Sequence, residues 1–173
     1  MSAAGATIRI TDTAPTGGTG NRDTEEMTMG TWDIGPFDND TAAVFAFTLD
    51  ETDPDEREGL VRTTLLRAIR HHEYLDGTGG VEAVAAAALI AAQHPGGDPV
   101  STIFGPKEAL PTFAADLHPL AVEALDRVLT TNSELAELWD DAVEGLQWRR
   151  SIRRLRAALD PEPEPQAEVL FDI

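Results

Sequence analysis

Cysteine is absent from this 173-residue chain, and a single lysine, Lys107, stands beside twelve arginines. Without cysteine the chain has no disulfide, no thiolate metal site and no cysteine nucleophile, which fits a reducing compartment. No apolar run approaches the roughly 20 residues that a membrane-spanning helix needs. The N-terminus lacks the basic-then-apolar order of a secretory signal. We therefore expect a soluble, cytoplasmic protein without a membrane partner.

Positive charge is scarce. The chain has 31 acidic and 13 basic residues, and its formal net charge is −18 at pH 7. Surfaces that bind nucleic acid need the opposite balance, so nucleic acid is not expected as a ligand. An acidic chain stays soluble and attracts basic molecules. We expect its partner to be another protein, of basic character.

Motifs for catalysis and metal binding are also missing. No serine lies in a Gly-x-Ser-x-Gly elbow, and no glycine-rich phosphate loop with its lysine is present. The acidic segment from Asp38 lacks the glycine and the twelfth-position glutamate of a calcium loop. His71 and His72 are adjacent, so they point about 100° apart on a helix and do not form a zinc pair. We expect no cofactor and no bound metal.

Helical periodicity is the strongest signal in the chain. It predicts an all-α fold, a single compact bundle of six helices with irregular N- and C-terminal tails. The predicted helices span about residues 39–51, 55–75, 81–93, 119–130, 133–144 and 147–159. The third is alanine-rich on every side, which is typical of a central buried helix. Leu138 and Leu146 fall on the apolar stripe of the fifth, and a break is predicted near Gly145.

The segment MGTWDIGPFDNDTAA, residues 29–43, precedes the first helix. Trp32 and Phe37 supply large apolar side chains, each worth about 2–3 kcal/mol when buried. Asp38 and Asp40, with the asparagine between them, are suited to capping the helix and complementing its dipole. We interpret the segment as a structural plug, with Trp32 and Phe37 buried against the helices.

The same segment resembles the start of an uncharacterised bacterial family, domain of unknown function 4259. Members begin with Met-Gly-x-Trp, a glycine, Phe-Asp/Asn and an Asp-x-Ala helix start. The resemblance continues through YLD at 74–76 and SELAELWDDA…WRRSIRRLRAAL, and covers about residues 29–159. It implies a small helical domain and no established activity. With the flanking composition it predicts a flexible tail at 1–28, the helical domain at 29–159 and an acidic, proline-rich tail at 160–173.

Two charged segments are candidate surfaces. Nine acidic residues and one arginine fall within 33–58, which we interpret as a solvated acidic face, with an electrostatic docking patch as the alternative. Five arginines lie on the last predicted helix: Arg149, Arg150, Arg153, Arg154 and Arg156. Arg149 and Arg153 are candidate protein-binding residues. In so acidic a chain, however, we expect these arginines to pair with neighbouring acids, including those of the tail.

The C-terminal segment PEPEPQAEVLFDI joins a stiff acidic spacer to an apolar end. Leu170, Phe171 and Ile173 are costly to leave in water and are candidate protein-binding residues. The segment either folds back on the chain, with its glutamates against the arginines at 149–156 or its end paired with residues 6–10, or it docks in a partner's groove. We favour fold-back, because it satisfies the charges without a partner.

These patterns favour a non-enzymatic, acidic protein-binding module, such as an adaptor, inhibitor or immunity-type protein. The alternative is a small enzyme or metal-binding protein that uses His71, His72 and the 94–111 loop. Proline and glycine recur in that loop too often for regular structure. His72 falls on the apolar face of the second predicted helix, so a core histidine is the simpler expectation.

Overall fold

The structure is a computed structural model, and it describes residues 34–100 and 103–160. Its helices are α1 Asp40–Glu51, α2 Arg57–Arg70, α3 Gly77–Ala92, α4 Leu117–Val128, α5 Glu134–Asp140 and α6 Gly145–Leu159. A short 3₁₀ turn, Pro54–Glu56, precedes α2. The predicted all-α class is confirmed: within the described ranges, the only β-type pairing is one bridge between Leu75 and Ser133. None of the helices described is long and apolar enough to cross a bilayer.

The alanine-rich helix α3 lies at the centre of the bundle. Eleven of its residues are buried, and α1, α2, α4, α5 and α6 all pack against it. The central burial expected from alanine on every side is therefore confirmed. The buried apolar side chains of the described helices form one continuous core, so this core positions every surface discussed below.

The start of α3 lies at Gly77, earlier than the predicted start at 81. The Asp76 carboxylate accepts a hydrogen bond from the Gly79 amide at 2.7 Å. Glu134, the first residue of α5, accepts one from the Gly77 amide. Two carboxylates at the positive end of the helix dipole stabilise a first turn whose glycines have little helix propensity of their own.

Helix α2 ends five residues before its predicted end at 75. Arg127 donates two hydrogen bonds to the His71 carbonyl, at 2.8 and 2.6 Å. The Leu75 amide donates to the Asn132 carbonyl, and its own carbonyl accepts from the first residue of α5, both at 2.9 Å. These long-range bonds replace the helical ones. His72 is consequently exposed, and its predicted place on the apolar face is wrong.

The C-terminal end of α1 is held by Arg57, which is only 6% exposed. Its guanidinium donates to four carbonyl oxygens. These belong to Leu49 and Thr52 at 2.9 Å each, Asp50 at 3.2 Å and Ala109 at 2.7 Å. The last carbonyls of a helix have no partner within it, and a cation there also complements the dipole. Arg57 thus joins α1 and α2 to the loop before α4.

That loop is fixed by side chains rather than by regular structure. The Asp50 carboxylate accepts hydrogen bonds from the amides of Lys107 and Glu108, at 3.0 and 2.9 Å. The Gln93 side chain donates to the Pro111 carbonyl at 2.8 Å and accepts from the Phe113 amide at 2.9 Å. The described part of the 94–111 loop is therefore attached to both α1 and α3.

Helices α5 and α6 meet at a tight turn. The rings of Trp139 and Trp148 stack across it, with centroids 5.7 Å apart and planes 6° apart. Helix α6 begins at Gly145, in agreement with the predicted break. Leu138 and Leu146 are 52% and 73% exposed. Their predicted place on an apolar stripe is wrong. Helix α5 buries Leu135, Ala136 and Trp139 and leaves Leu138 outside, and the helix ends at residue 140, before Leu146.

The segment before α1 enters the core through Phe37, which is 2% exposed. Trp32, the other apolar residue of the proposed plug, lies outside the described residues. The N-cap of α1 is Asn39, whose side chain accepts a hydrogen bond from the amide three residues on at 2.9 Å. Asp38 precedes this cap, and Asp40 lies in the first turn, where its charge complements the dipole.

Glu82 is a partly buried carboxylate on α3, and it forms an ion pair with Arg67 of α2 at 2.5 Å. Burial raises the pKa of Glu82 above the ordinary value of 4.5, Arg67 opposes this, and Asp76 adds to it. The folded state thus holds this proton more tightly than the unfolded state does. Glu82 stabilises the fold below about pH 4.5, and that contribution is lost as pH rises through the raised pKa.

We therefore expect Glu82→Gln to be at least as stable as wild type at about pH 7, although the variant loses an ion pair. The stability difference between variant and wild type should shrink as pH falls towards about 4. Urea unfolding across this range measures it, with the exposed Glu73→Gln as the matched control. A variant less stable than wild type at neutral pH would show that the Arg67 pair outweighs burial.

Candidate functional site

A cleft of about 300 Å³ opens between α6, the loop after α3 and the segment before α1. Its walls are mainly apolar and include Ile34, Phe37 and Leu155. Arg154 and Asp98, whose side chains form an ion pair at 2.9 Å, also line it. Because both are more than 70% exposed, this pair lies at the mouth of the cleft. We refer to this feature as the α6 cleft.

The described lining of the α6 cleft is mainly apolar and contains one hydroxyl. Ser151 carries the only hydroxyl among the described residues that line it. That hydroxyl donates to the Trp148 carbonyl at 2.8 Å, and no histidine lies beside it in the described lining to act as a base. An apolar cleft with charges at its mouth fits apolar side chains of a peptide.

The structure separates His71 and His72 from the α6 cleft. His71 and His72 are exposed after α2, and they do not line the α6 cleft, which residues of the 94–111 loop help to form. His94 and His118 instead meet edge to face, with ring centroids 5.5 Å apart. In the part of the chain that the structure describes, no three His, Cys, Asp or Glu residues are grouped to hold a metal ion.

Three of the five arginines on α6 pair with acids. Arg149 binds Asp140 through two hydrogen bonds, at 2.7 and 2.6 Å, and holds the pKa of that carboxyl below its usual value. Arg154 pairs with Asp98, and Arg156 pairs with Asp126 at 2.6 Å. Arg149, a predicted protein-binding residue, is thus already engaged within the bundle.

Arg150 and Arg153 differ from these three. Both are exposed, and neither forms an ion pair with any residue that the structure describes. They are three residues apart, so their side chains are neighbours on the helix surface. Of the two arginines predicted to bind protein, Arg153 is therefore the one available to an incoming carboxylate. Leu170, Phe171 and Ile173, the other predicted binding residues, lie outside the described residues.

The outer face of α1 forms a second surface. Asp40, Val44, Phe47 and Glu51 follow one another at spacings of four, three and four residues, which places them on one helical face. Val44 and Phe47 are each 63% exposed. We define the acidic edge as this stripe together with the exposed acids of the connection to α2, namely Asp53, Asp55 and Glu56. None of its five acids pairs with a cation among the described residues.

Sequence reasoning found the acids of this edge but not its apolar centre. Val44 and Phe47 fall within the first predicted helix, at about 39–51, and no exposed apolar face is predicted for that helix. The spacing of two acids around two apolar residues, at 40, 44, 47 and 51, is the signal that identifies the stripe. The α6 cleft has no comparable signal, because its walls come from three segments distant in sequence.

A family model described as "Domain of unknown function (DUF4259)" matches residues 30–151. The match begins before α1 and ends within α6, and it spans 122 of the 173 residues. Neither a curated protein nor a solved structure matches the chain.

Proposed function

Because the chain belongs to the DUF4259 family, whose description assigns no activity, we propose its function from the acidic edge. We propose a non-enzymatic protein-binding module of the bacterial cytoplasm, acting as an adaptor, inhibitor or immunity-type protein on a basic partner. The observation that carries this proposal is the pair Val44 and Phe47, each 63% exposed between acids that have no ion pair with a described residue.

An isolated exposed apolar residue is common on protein surfaces, but adjacent ones indicate a contact surface. Val44 and Phe47 are three residues apart on α1, so they form one continuous apolar patch. In a binding interface, such a patch supplies the desolvated centre and the surrounding charges supply the rim. The acidic edge has this arrangement, with Glu51 following Phe47 after four residues and Asp40 preceding Val44 by four.

The charge of the edge specifies the chemistry of the partner. The chain has a net charge of −18, which attracts a basic surface over a distance and accelerates encounter. The stripe from Asp40 to Glu51 is about 16 Å long at 1.5 Å per residue. A basic amphipathic helix of about three turns matches it, with apolar residues against Val44 and Phe47 and arginine or lysine against the acids.

Two variants test this surface against a purified basic partner. We expect Val44→Ser with Phe47→Ser to raise Kd at least about tenfold, through faster dissociation. We expect replacement of Glu51, Asp55 and Glu56 by their amides to slow association and to flatten its dependence on salt. Surface plasmon resonance at several salt concentrations measures both rates.

Matched variants on another face serve as controls. Leu138→Ser with Leu146→Ser removes two other exposed apolar side chains, which are 52% and 73% exposed, and the exposed acids Glu73, Glu123 and Glu144 give a control set for charge. Equal losses in test and control variants would contradict the proposal. A partner whose binding strengthens with added salt would contradict it as well, because charge attraction is weakened by salt.

A further inference from the structure

The α6 cleft lies close to the point at which the chain leaves α6. Leu155 and Ala158 line the cleft, α6 ends at Leu159, and thirteen residues, 161–173, follow the described part of the chain. The last six of these, EVLFDI, include four apolar side chains. We propose that the α6 cleft is a docking site for this chain's own C-terminal segment, residues 168–173. This inference concerns a different surface from the acidic edge and does not depend on the proposed function.

The intervening spacer is long enough to reach the cleft. Residues 161–167 read PEPEPQA, and a proline-rich chain of this length extends about 22 Å at 3.1 Å per residue. The return from Asp160 to Ile152 along α6 is about 12 Å at 1.5 Å per residue. The spacer can therefore reverse direction and still deliver residues 168–173 to the cleft.

Charge complementarity places the spacer along α6. Arg150 and Arg153 are exposed and have no acid partner among the described residues, whereas the other three arginines of α6 are paired. Spacer and segment together, residues 161–173, carry four acids and no basic residue: Glu162, Glu164, Glu168 and Asp172. Because Arg150 and Arg153 lie about 140–160° around α6 from the cleft-lining Leu155, the spacer acids Glu162 and Glu164 would contact them while residues 168–173 occupy the cleft. Tethering supports such contacts, because a short linker gives an effective concentration of about a millimolar.

The apolar end of the segment matches the wall of the cleft. In an extended chain alternate side chains point to the same side, so Val169, Phe171 and Ile173 share one side of EVLFDI. The cleft offers them an apolar surface that includes Ile34, Phe37, Val100, Ile152 and Leu155. Asp98 and Arg154 at its mouth remain close to solvent. Val169, Phe171 and Ile173 would thereby leave water, and none of these three side chains carries a charge.

A photocrosslink in the full chain tests the docking directly. With benzoylphenylalanine in place of Phe171, irradiation should give a monomeric product whose crosslinks map to residues 34–38, 96–100 and 151–158. Crosslinks confined to other surfaces would overturn the proposal, including a result in which residues before 34 fill the cleft instead. A product crosslinked only between two copies would overturn it too, because the segment would then serve a second molecule.

Two pairs of substitutions, made in the chain that carries benzoylphenylalanine at position 171, distinguish the contribution of the apolar cleft from that of the arginines. Leu155→Glu with Ala158→Glu should lower the crosslink yield about tenfold, and Arg150→Glu with Arg153→Glu should also lower it. The second pair is exposed, so it keeps the test valid if the first pair impairs folding. Control charge reversals at Arg70 and Lys107, both exposed, should leave the yield unchanged. A yield insensitive to both test pairs would overturn the proposal.

A synthetic peptide of residues 161–173 gives an independent readout. A full chain with Val169→Asp and Phe171→Asp has its own segment disabled, and it should bind the peptide measurably by isothermal titration calorimetry. The wild-type chain should bind the peptide at least about tenfold more weakly, because its tethered segment competes. Equal affinities for the two chains, or no binding to the variant, would contradict docking in the cleft.

Discussion

Replacing Arg57 by methionine should lower the free energy of unfolding by about 3–5 kcal/mol. The guanidinium is buried and donates to four backbone carbonyls. Methionine keeps the apolar stem but supplies no donor, so the carbonyls of Asp50, Thr52 and Ala109 lose the Arg57 donor, whereas the Leu49 carbonyl keeps the Thr52 amide. Each unsatisfied buried carbonyl costs about 1–3 kcal/mol, and water can recover part of this near the surface. Urea unfolding measures the change.

Two further variants define the cause of that loss. Arg57→Lys keeps the charge but not the planar fork that reaches several carbonyls at once, so it should recover only part of the stability. Arg70→Met, at an exposed arginine of the same helix, should change stability by no more than about 0.5 kcal/mol. If Arg57→Met and Arg70→Met have equal stability, hydration rather than Arg57 satisfies the carbonyls.

Replacing Gly145 by alanine should lower the free energy of unfolding by about 2–3 kcal/mol. A Cβ at this position would lie 2.2 Å from the Trp139 carbonyl oxygen and 3.1 Å from its carbon. These are backbone atoms, which cannot rotate aside as the end of a side chain can. The turn between α5 and α6 must therefore open, and this separates the stacked rings of Trp139 and Trp148. Thermal unfolding and near-ultraviolet circular dichroism measure the loss of stability and of the stacked pair.

Replacing Gly59 by alanine should instead raise the free energy of unfolding. Gly59 lies in α2, and a Cβ there would meet nothing within 4 Å. Alanine has better helix propensity than glycine, and it restricts the unfolded chain, so Gly59→Ala should add about 0.5–1 kcal/mol. If both glycine variants shifted the unfolding temperature in the same direction, the close approach at Gly145 would not be the cause.

Local patterns were sufficient to predict the six helices of the part of the chain that the structure describes. The alanine-rich composition of α3 and the break at Gly145 are local signals, and so is Ser133, which is the N-cap of α5. The boundaries between α2 and α3 were not predictable in this way. They depend on Leu75, which pairs with a segment 58 residues further along the chain, and on Arg127, which binds the His71 carbonyl.

Long-range contacts also determine which charged residues of the candidate surfaces are exposed. Sequence composition identifies one arginine among nine acids in residues 33–58, but it does not show that Arg57 is the buried member of this group. Pairing of the α6 arginines with acids was expected, and three of them do pair. Which two lack a described partner depends on the positions of Asp98, in the loop after α3, and Asp126, on α4. The sequence therefore predicts that these charged residues form surfaces and ion pairs, but it does not predict which of them are buried, paired or exposed.

The position of α3 has a consequence for cooperativity. Each of the other five described helices packs against it, so loss of residues 77–92 would expose the apolar faces of all of them together. An intermediate in which α3 is unfolded would therefore retain little of the core. The described helices form a unit in which opening of the central helix coincides with global unfolding, and partial opening is restricted to the outer helices.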